Sequence, residues 1–463
     1  MRKFWIVLLS LGLIMAFVMP AAAQTAVKFG GSYYVVGYHE SNHSLKDDAT
    51  RAASTSFQGA SASFFAQRLR IQPEFKIAEG LTLVTRFDAL EKKWGDQTWS
   101  PSASYDVSNR LAYNTSAAGV RTQENIEWER AYVDFTTGIG RFMVGYQNFV
   151  AWGTSFGDTH ITRPGIKYML PMGDLTLVAA WEKVGEGSST LFGTSAANRY
   201  AEHDYNIYDL GLIGKFKGGE WGVLVQYAHN TIAEETASTN YTKRIYLVDP
   251  YVKATFGSIY FEAEAAYAWG DWADYAVATT QDIDVKAMGI YANVKVDLAP
   301  AYVGLKFAWV RGDDYTTRDV EGNVMSSLLA GQVFNPCLMM FNDDLNSYLS
   351  NYNGYATGTN QPMTNFFDNA WLYQVYGGFK FTPKLELYAS LSMAKADEKP
   401  AANWVDKDFG TELDVTLTYK IFNNLSYMIG AGYWWVGDYF KGTSATNKID
   451  DTYLLMHKLT LTF

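Results

Sequence analysis

Two histidines and two aspartates near the N-terminus have the residue types of a metal site. His39 and His43 are four residues apart, and Asp47 and Asp48 follow them closely. Imidazole and carboxylate groups are common ligands of zinc, but a site needs them fixed around one point. The stretch is polar and irregular, and no helical pattern places both histidines on one side. We therefore expect a solvated loop here, with no metal and no other cofactor.

A second candidate for chemistry is the sequence GDTH, which carries Asp158 and His160. Acid–histidine pairs on barrel loops support catalysis when a third group orients the histidine or a nucleophile lies beside it. The sequence identifies no third member. It also shows no glycine-rich phosphate loop, serine elbow or paired-cysteine motif. These observations favour a protein that is not an enzyme, and a barrel enzyme or adhesin remains as an alternative.

Alternation of apolar and polar residues along most of the chain indicates the elements that must position any site. In FFAQRLRIQPEFKI, one face holds Phe65, Leu69, Ile71, Phe75 and Ile77, and the other holds Arg68, Arg70, Gln72, Glu74 and Lys76. In DFGTELDVTLTYKI, one face holds Phe409, Leu413, Val415, Leu417, Tyr419 and Ile421, and the other holds Glu412, Asp414, Thr416, Thr418 and Lys420. A period of two residues is typical of β-strands with one polar face. The pattern predicts about 18 strands, within a range of about 16–18.

The connections between these segments alternate in length. Short turns such as AEG, PMGD, KGGE and TPK separate pairs of strands. The long polar loops between those pairs are 40–61, 94–123, 185–203, 313–366 and 437–450. Tight turns at one end and long loops at the other are typical of outer-membrane barrels. The sequence thus predicts an all-β protein in which residues 24–463 form one transmembrane antiparallel β-barrel.

The N-terminal segment 1–23 indicates export. A basic start, MRK, precedes an apolar stretch, and AAAQ provides a cleavage site after Ala23. These features are typical of a secretory signal peptide, with an anchoring helix as the alternative. The whole chain carries a formal charge of −10, and removal of Arg2 and Lys3 makes it more acidic. An acidic exported chain argues against nucleic acid as a partner. The single cysteine, Cys337, excludes an internal disulfide.

The chain ends within a predicted strand, TYLLMHKLTLTF. Leu459, Leu461 and Phe463 fall on one face, while Lys458 and Thr460 fall on the other. Backbone polar groups in lipid need partners within the protein, so a membrane-spanning sheet must close on itself. We therefore expect the last strand to pair with the first, with the leucines toward lipid and Lys458 toward water.

The C-terminal sequence resembles a known family. A last strand ending in Phe463 is similar to the assembly signal of bacterial outer-membrane proteins. The stretch DFGTELDVTLTYKIFNNLSYMIGAGYWWVGDYFKGT, with YLLMHKLTLTF after it, resembles the outer-membrane homotrimeric porins of Gram-negative bacteria. QRLRIQPEF and ERAYVDF are similar to strands of the same barrels and of alginate-export-type barrels. The resemblance implies a homotrimer that lets small hydrophilic solutes and ions diffuse across the outer membrane, placed there by the assembly machinery.

Two kinds of channel are compatible with the predicted lumen. The predicted lumen carries both signs of charge. Its basic residues include Arg68, Arg70, Arg86 and Arg130, and acidic residues lie on other strands. Mixed charge favours a general diffusion porin. A substrate-selective channel or an exopolysaccharide exporter of the alginate type is the alternative. The residues predicted to line the pore or its constriction are Arg68, Arg70, Arg86, Arg130, Asp249, Glu262 and Glu264.

Counting residues from the short turns places these charges at similar depth on opposite walls, because strands rise about 3.3 Å per residue. Arg70, Arg86 and Arg130 fall on strands two to four. Asp249, Glu262 and Glu264 fall on strands ten and eleven. The sequence thus predicts a basic wall that faces an acidic wall, with a field across the pore that orients zwitterionic solutes. The alternative is that each charge pairs with a neighbour, as Arg86 with Asp88 would.

The longest predicted loop, 313–366, contains an apolar run from Val324 to Phe341. Loops of this length usually serve a function or are disordered, and an exposed apolar run promotes aggregation. The run therefore folds into the lumen, caps the mouth or packs on a neighbouring protomer. Within it, Cys337 is expected to be a small buried hydrophobic residue.

Overall fold

The computed structural model shows a β-sheet protein in which some of the long connections between strands fold inside the sheet. It describes residues 26–53, 61–95, 126–149, 151–158, 161–186, 203–232, 240–277, 279–322, 329, 333–349, 351–356 and 367–463. The predicted signal peptide at residues 1–23 lies outside the described residues. Within the described part of the chain, no helix is long and apolar enough to cross a membrane.

The strands follow one another along the chain with alternating short and long connections. Their bounds are β1 Ala26–Glu40, β2 Ala62–Ala78, β3 Leu81–Lys93, β4 Ile126–Thr137, β5 Gly140–Asn148, β6 Thr162–Met172, β7 Leu175–Glu186, β8 Asp204–Phe216 and β9 Gly219–Asn230. They continue as β10 Tyr241–Phe256, β11 Ile259–Tyr275, β12 Ile283–Leu298, β13 Ala301–Val310, β14 Ala370–Thr382, β15 Leu385–Ala396, β16 Asp408–Phe422, β17 Leu425–Val436 and β18 Thr452–Thr462. Short helices occur in three long connections, as α1 Asp48–Ala53, α2 Asp343–Leu349 and the 3₁₀ helix Asp438–Lys441.

The sheet closes into a barrel. Each strand pairs antiparallel with its neighbours in sequence, and β1 also pairs with β18. In that last pair Tyr34 lies opposite Thr460, and Val36 lies opposite Lys458. Closure gives every strand two hydrogen-bonded partners, so no sheet edge is left exposed to lipid. The prediction of an antiparallel barrel of about 18 strands is confirmed.

The alternation seen in the sequence sorts side chains between the two faces of the barrel. On β16, Leu413 and Val415 are exposed on the outer surface, whereas Glu412 and Asp414 are buried on the inner one. On β18, Leu455 is exposed outside and Leu454 is buried inside. An apolar exterior and a polar interior are what a barrel in lipid with a hydrated lumen requires.

One residue of the predicted outer face lies inside. Phe409 was predicted to share a face with Leu413, but it is fully buried and packs against Phe341 and Tyr439. The register of β15 and β16 shifts next to Ala394, so Phe409 is an extra residue in its strand. On one side of such a bulge, side chains point to the face of the sheet opposite to the one that strict alternation predicts. The prediction for Phe409 was therefore wrong.

Candidate pore constriction

A segment between β5 and β6 crosses the inside of the barrel to the opposite wall. We call residues 149 and 151–158 the first inner segment. The indole Nε1 of Trp152 donates a hydrogen bond to the carbonyl oxygen of Asp249 on β10 at 3.0 Å. The backbone N–H and the hydroxyl of Thr154 donate to the Glu264 carboxylate on β11, at 2.7 and 2.5 Å. The buried carboxyl group of Glu264 thus anchors the segment, because buried hydrogen bonds are costly to leave unmade.

Close approach to that carboxylate explains two glycines of the first inner segment. A Cβ atom at Gly153 or at Gly157 would overlap the carboxyl group of Glu264. Gly153 also has a φ of +66°, a conformation that side chains other than glycine rarely adopt. The two glycines let the backbone reach the carboxylate.

We expect Gly157→Ala to loosen the first inner segment, because the added methyl group forces Glu264 away from Thr154. The measurement is single-channel conductance in a planar bilayer, which should rise and become noisier. Gly138→Ala is the matched control, since nothing lies within 4 Å of a Cβ atom there. Identical conductance traces for the two variants would show that the contact does not hold the segment.

Part of the long loop 313–366 also folds into the lumen. We call residues 333–349 and 351–356 the second inner segment. The backbone N–H groups of Met339 and Met340 donate to Glu412 on β16 at 2.8 and 2.7 Å, and that of Leu338 donates to Asp414 at 3.2 Å. Of the three placements left open by the sequence, the described part of the apolar run therefore adopts the one inside the barrel. Residues 323–328, 330–332, 350 and 357–366 of the loop lie outside the described residues.

The two inner segments pack on each other and on the wall through aromatic side chains. Phe156 of the first segment stacks on Tyr291 of β12, with ring centroids 5.4 Å apart, and meets Phe334 of the second edge-on. On the far side, the hydroxyl groups of Tyr348 in α2 and Tyr34 in β1 are 2.8 Å apart. The segments together bridge the lumen from β10–β12 to β1. A cavity of about 320 Å³ remains beside the first inner segment, lined by residues of β4–β9.

Cys337 lies in this packed region. Its side chain is buried, as the sequence predicted. Burial raises the pKa of the Cys337 thiol well above its usual range, and the carboxylates of Glu412 and Asp414 act in the same direction. A thiol held in its neutral form is a poor nucleophile.

The four predicted basic residues form a cluster on β2–β4. Arg70 binds both carboxylate oxygens of Asp88, at 2.8 and 2.7 Å, and one oxygen of Glu129 at 2.9 Å. Arg86 pairs with the other oxygen of Glu129, and Arg68 lies 3.8 Å from Asp88. Asp88 thus pairs with Arg70, where the sequence alternative had named Arg86. The cluster is an ion-pair network on the lumen wall.

Glu129 is a wall residue that the sequence reasoning missed. The register of β3 and β4 shifts between Arg86 opposite Arg130 and Phe87 opposite Trp128, which makes Glu129 the extra residue. A bulge there turns both Glu129 and Arg130 inward. The sequence contains a signal for this bulge. Trp128 and Val133 are both apolar and both exposed, although strict alternation would place an even-numbered and an odd-numbered residue on opposite faces.

The predicted acidic wall is only partly open to the lumen. Asp249 and Glu264 are 0% and 2% exposed, because the first inner segment covers them. Glu262 is partly exposed and accepts hydrogen bonds from Tyr291 at 2.7 Å and from Asn293 at 3.1 Å. That the predicted residues line the narrowest part of the pore stays a prediction.

The histidines singled out in the sequence make ordinary polar contacts. His39 Nδ1 lies 2.7 Å from the hydroxyl of Ser63, and His43 Nδ1 lies 3.0 Å from the Glu40 carboxylate. No group of three or more potential ligands that could hold a metal ion occurs among the described residues. His160 lies outside them.

A closed sheet of 18 antiparallel strands, apolar outside and polar inside, defines a transmembrane β-barrel of the outer-membrane type. The sequence matches no family model and no curated protein. Among solved structures, the chain is similar to Acinetobacter baumannii OccAB2, with 13% identity and a TM-score of 0.50 over 94% of this chain and 98% of that one.

Two further solved proteins are matched over nearly their whole length at lower superposition scores. One is Pseudomonas aeruginosa OccK2 in complex with glucuronate, at 13% identity and a TM-score of 0.48 over 94% of this chain and 98% of that one. The other is a loop-deletion mutant of OmpT, an outer membrane protein of Vibrio cholerae, at 15% identity and a TM-score of 0.40 over 95% of this chain and 100% of that one. At identities this low, structural similarity supports the fold alone. That support comes from the OccAB2 match.

Proposed function

We propose that the protein is an outer-membrane channel through which small hydrophilic solutes and ions diffuse passively, without catalysis. The observation that carries the proposal is the lumen itself. Two inner segments narrow it, each held by wall carboxylates, and Arg130 lines a cavity that remains beside the first of them. Ordered segments inside a large barrel reduce its aperture without closing it, which is how channels combine flow with size exclusion.

A substrate-selective channel is the second candidate. A cavity of about 320 Å³ lies beside the first inner segment, and both charged and apolar side chains line it. Shaped cavities with a few placed polar groups favour selection of a solute over free flow. An exopolysaccharide exporter of the alginate type is a further form of this candidate.

The cellular context belongs to the same proposal. The fold is consistent with a Gram-negative outer membrane. It is also consistent with export by the 1–23 signal peptide and with insertion by the outer-membrane assembly machinery through the strand ending in Phe463. Phe463 is paired in the structure, since its backbone exchanges hydrogen bonds with Gly31 at 3.1 and 2.9 Å. We also propose a homotrimer, with outward Ala263 and Ala265 as a small-residue patch for close approach. Native mass measurement in mild detergent tests the trimer, and a monomer alone would contradict it.

Planar-bilayer recording with a salt gradient tests the channel and its basic wall. Combined replacement of Arg70, Arg86 and Arg130 by alanine should move the reversal potential toward cation preference, because Asp88 and Glu129 then lose their partners. Fixed charges in confined water act strongly on passing ions. Glu262→Ala, on the far wall, should move it toward anions. Absence of any conductance from the folded protein would refute the channel, and unchanged selectivity in both variants would refute the wall.

A further inference from the structure

Each inner segment is docked where two carboxyl groups of the barrel wall lie next to each other. The first inner segment docks on Glu264 of β11, beside Asp249 of β10. The second inner segment docks on Glu412 and Asp414 of β16. All four side chains are between 0% and 2% exposed. Two buried carboxyl groups in contact are both ionised only at a high cost, because each loses water and repels the other.

The first pair leaves three carboxyl oxygens without a donor. Oε2 of Glu264 accepts hydrogen bonds from Thr154, but Oε1 of Glu264 and both oxygens of Asp249 are buried and have no donor in the described part of the chain. The two carboxyl groups lie against each other, and a Cβ atom at Gly157 would contact Oε1 of Glu264 and Oδ2 of Asp249 together. One proton between the facing oxygens gives both groups a hydrogen bond.

The second pair repeats this arrangement. Both oxygens of Glu412 accept backbone N–H groups of the second inner segment, and Oδ2 of Asp414 accepts that of Leu338. Oδ1 of Asp414 is buried without a donor among the described residues. It lies beside Glu412, since a Cβ atom at Gly432 would be 2.8 Å from Oδ1 of Asp414 and 3.6 Å from Oε1 of Glu412. A hydrogen bond between two carboxyl groups needs a proton on one of them.

The charged neighbours of the first pair are engaged elsewhere. Lys253 of β10 pairs with Glu220 of β9 at 2.9 Å. Tyr251 donates to the same Glu220 at 3.2 Å, and Tyr291 of β12 donates to Glu262 at 2.7 Å. Within the described residues, therefore, a proton is the group that joins the two carboxyl groups.

The second pair has no cationic partner among the described residues either. The titratable groups that interact with it, or with the thiol beside it, are Cys337, Tyr352, Tyr388, Lys306 and Glu40. The thiol and the two phenols are uncharged at neutral pH. Nζ of Lys306 lies over the ring of Tyr376, 5.5 Å from its centroid, and Glu40 pairs with His43 at 3.0 Å.

We propose that each pair holds one proton while its inner segment is docked, and that loss of this proton at rising pH releases the segment and widens the pore. Once a segment has left, water reaches both carboxyl groups, and they ionise above about pH 4. The docked state therefore binds one proton more than the released state. By linkage, release becomes up to about tenfold more favourable per pH unit for each pair. The proposal rests on the channel function and adds the regulation of that channel.

Planar-bilayer recording at about pH 5, 7 and 9 tests the proposal. Single-channel conductance should be low and steady in acid, with longer visits to larger levels as the pH rises. A conductance that stays constant or falls would overturn the proposal, whereas absence of current at every pH would refute the channel function on which it rests. Addition of a metal chelator at neutral pH should change nothing. If the chelator raises the conductance, a divalent cation and not a proton joins the carboxyl groups.

Asp249→Asn and Asp414→Asn separate the two pairs. An asparagine amide donates to the neighbouring carboxylate without a titrating proton. Each variant should therefore lose the pH response of its own segment, and the double variant should lose all of it. Glu386→Gln is the matched control, since it changes a wall carboxyl group of β15 that lies opposite Thr418, and it should keep the full response. Folding is checked by heat-modifiable mobility. A folded double variant that still opens with rising pH would overturn the proposal.

Labelling of Cys337 with a maleimide gives a readout besides current. Cys337 is the only cysteine of the chain, and it is buried while the second inner segment is docked. At one alkaline pH, it should react more slowly in Asp414→Asn than in the unchanged protein. Removal of the nearby negative charge would by itself favour the thiolate and speed the reaction, so slower labelling reports retained docking. Equal or faster labelling in Asp414→Asn would contradict release at the second pair.

Discussion

Glu412→Ala is expected to free the second inner segment from the barrel wall. The carboxylate accepts two hydrogen bonds from the backbone of Met339 and Met340. Removal of the acceptor leaves two buried N–H groups without a partner, at a cost of about 1–3 kcal/mol each. The segment then leaves the lumen for part of the time. Single-channel recording should show a larger conductance with frequent switching between levels.

Glu386→Ala is the control for that change. Glu386 is a carboxylate on the adjacent strand β15, where it lies opposite Thr418 and accepts a hydrogen bond from Tyr302. Its replacement removes a wall carboxyl group of the same type at a different height, while Glu412 keeps its bonds to the second inner segment. A rise in conductance that is equal in both variants would mean that charge, not release of the segment, causes the effect.

Leu417→Arg is expected to impair assembly of the barrel, whereas Thr416→Arg is not. The two residues are adjacent on β16, but alternation places Leu417 toward lipid and Thr416 toward the lumen. An arginine facing lipid near the midplane costs about 2–4 kcal/mol, while lumen substitutions leave the barrel intact. Heat-modifiable electrophoretic mobility after refolding measures the folded fraction.

The outcome that contradicts this assignment of faces is equal folded fractions for the two variants. Both carry the same added charge and differ by one position, so composition and expression are matched. A defect in Thr416→Arg alone would mean that β16 is reversed, with Glu412 and Asp414 toward lipid.

Local alternation predicted most of the strands and their faces, and it failed where the strands contain an extra residue. Phe409 and Glu129 both lie at shifts of register, one in β16 and one in β4. A bulge depends on how two strands pair, and the sequence of one strand does not specify its partner's register. Period-two reasoning therefore assigns the wrong face on one side of each bulge.

The placement of the long loop shows a second limit. Its apolar run indicated burial but not the surface that buries it. The structure shows that the partners of Met339 and Phe334 are Glu412 and Tyr291, at least 40 residues away in sequence. Contacts of this range join residues far apart in sequence, so no local pattern signals them. The same holds for Asp249 and Glu264, which the sequence placed in open water and the first inner segment covers.

The sequence by itself determined the closed barrel, because a chain of alternating strands in lipid must pair every edge and turn its apolar side outward. It also determined that charged side chains occupy the lumen. Only the tertiary structure decided which of those charges remain available. Arg70 and Arg86 are joined to Glu129, and Glu264 is occupied by Thr154. The physical reason is that the inner segments pair their backbone N–H groups with wall carboxylates. Which carboxylates they reach depends on the three-dimensional path of the segments and of the wall strands.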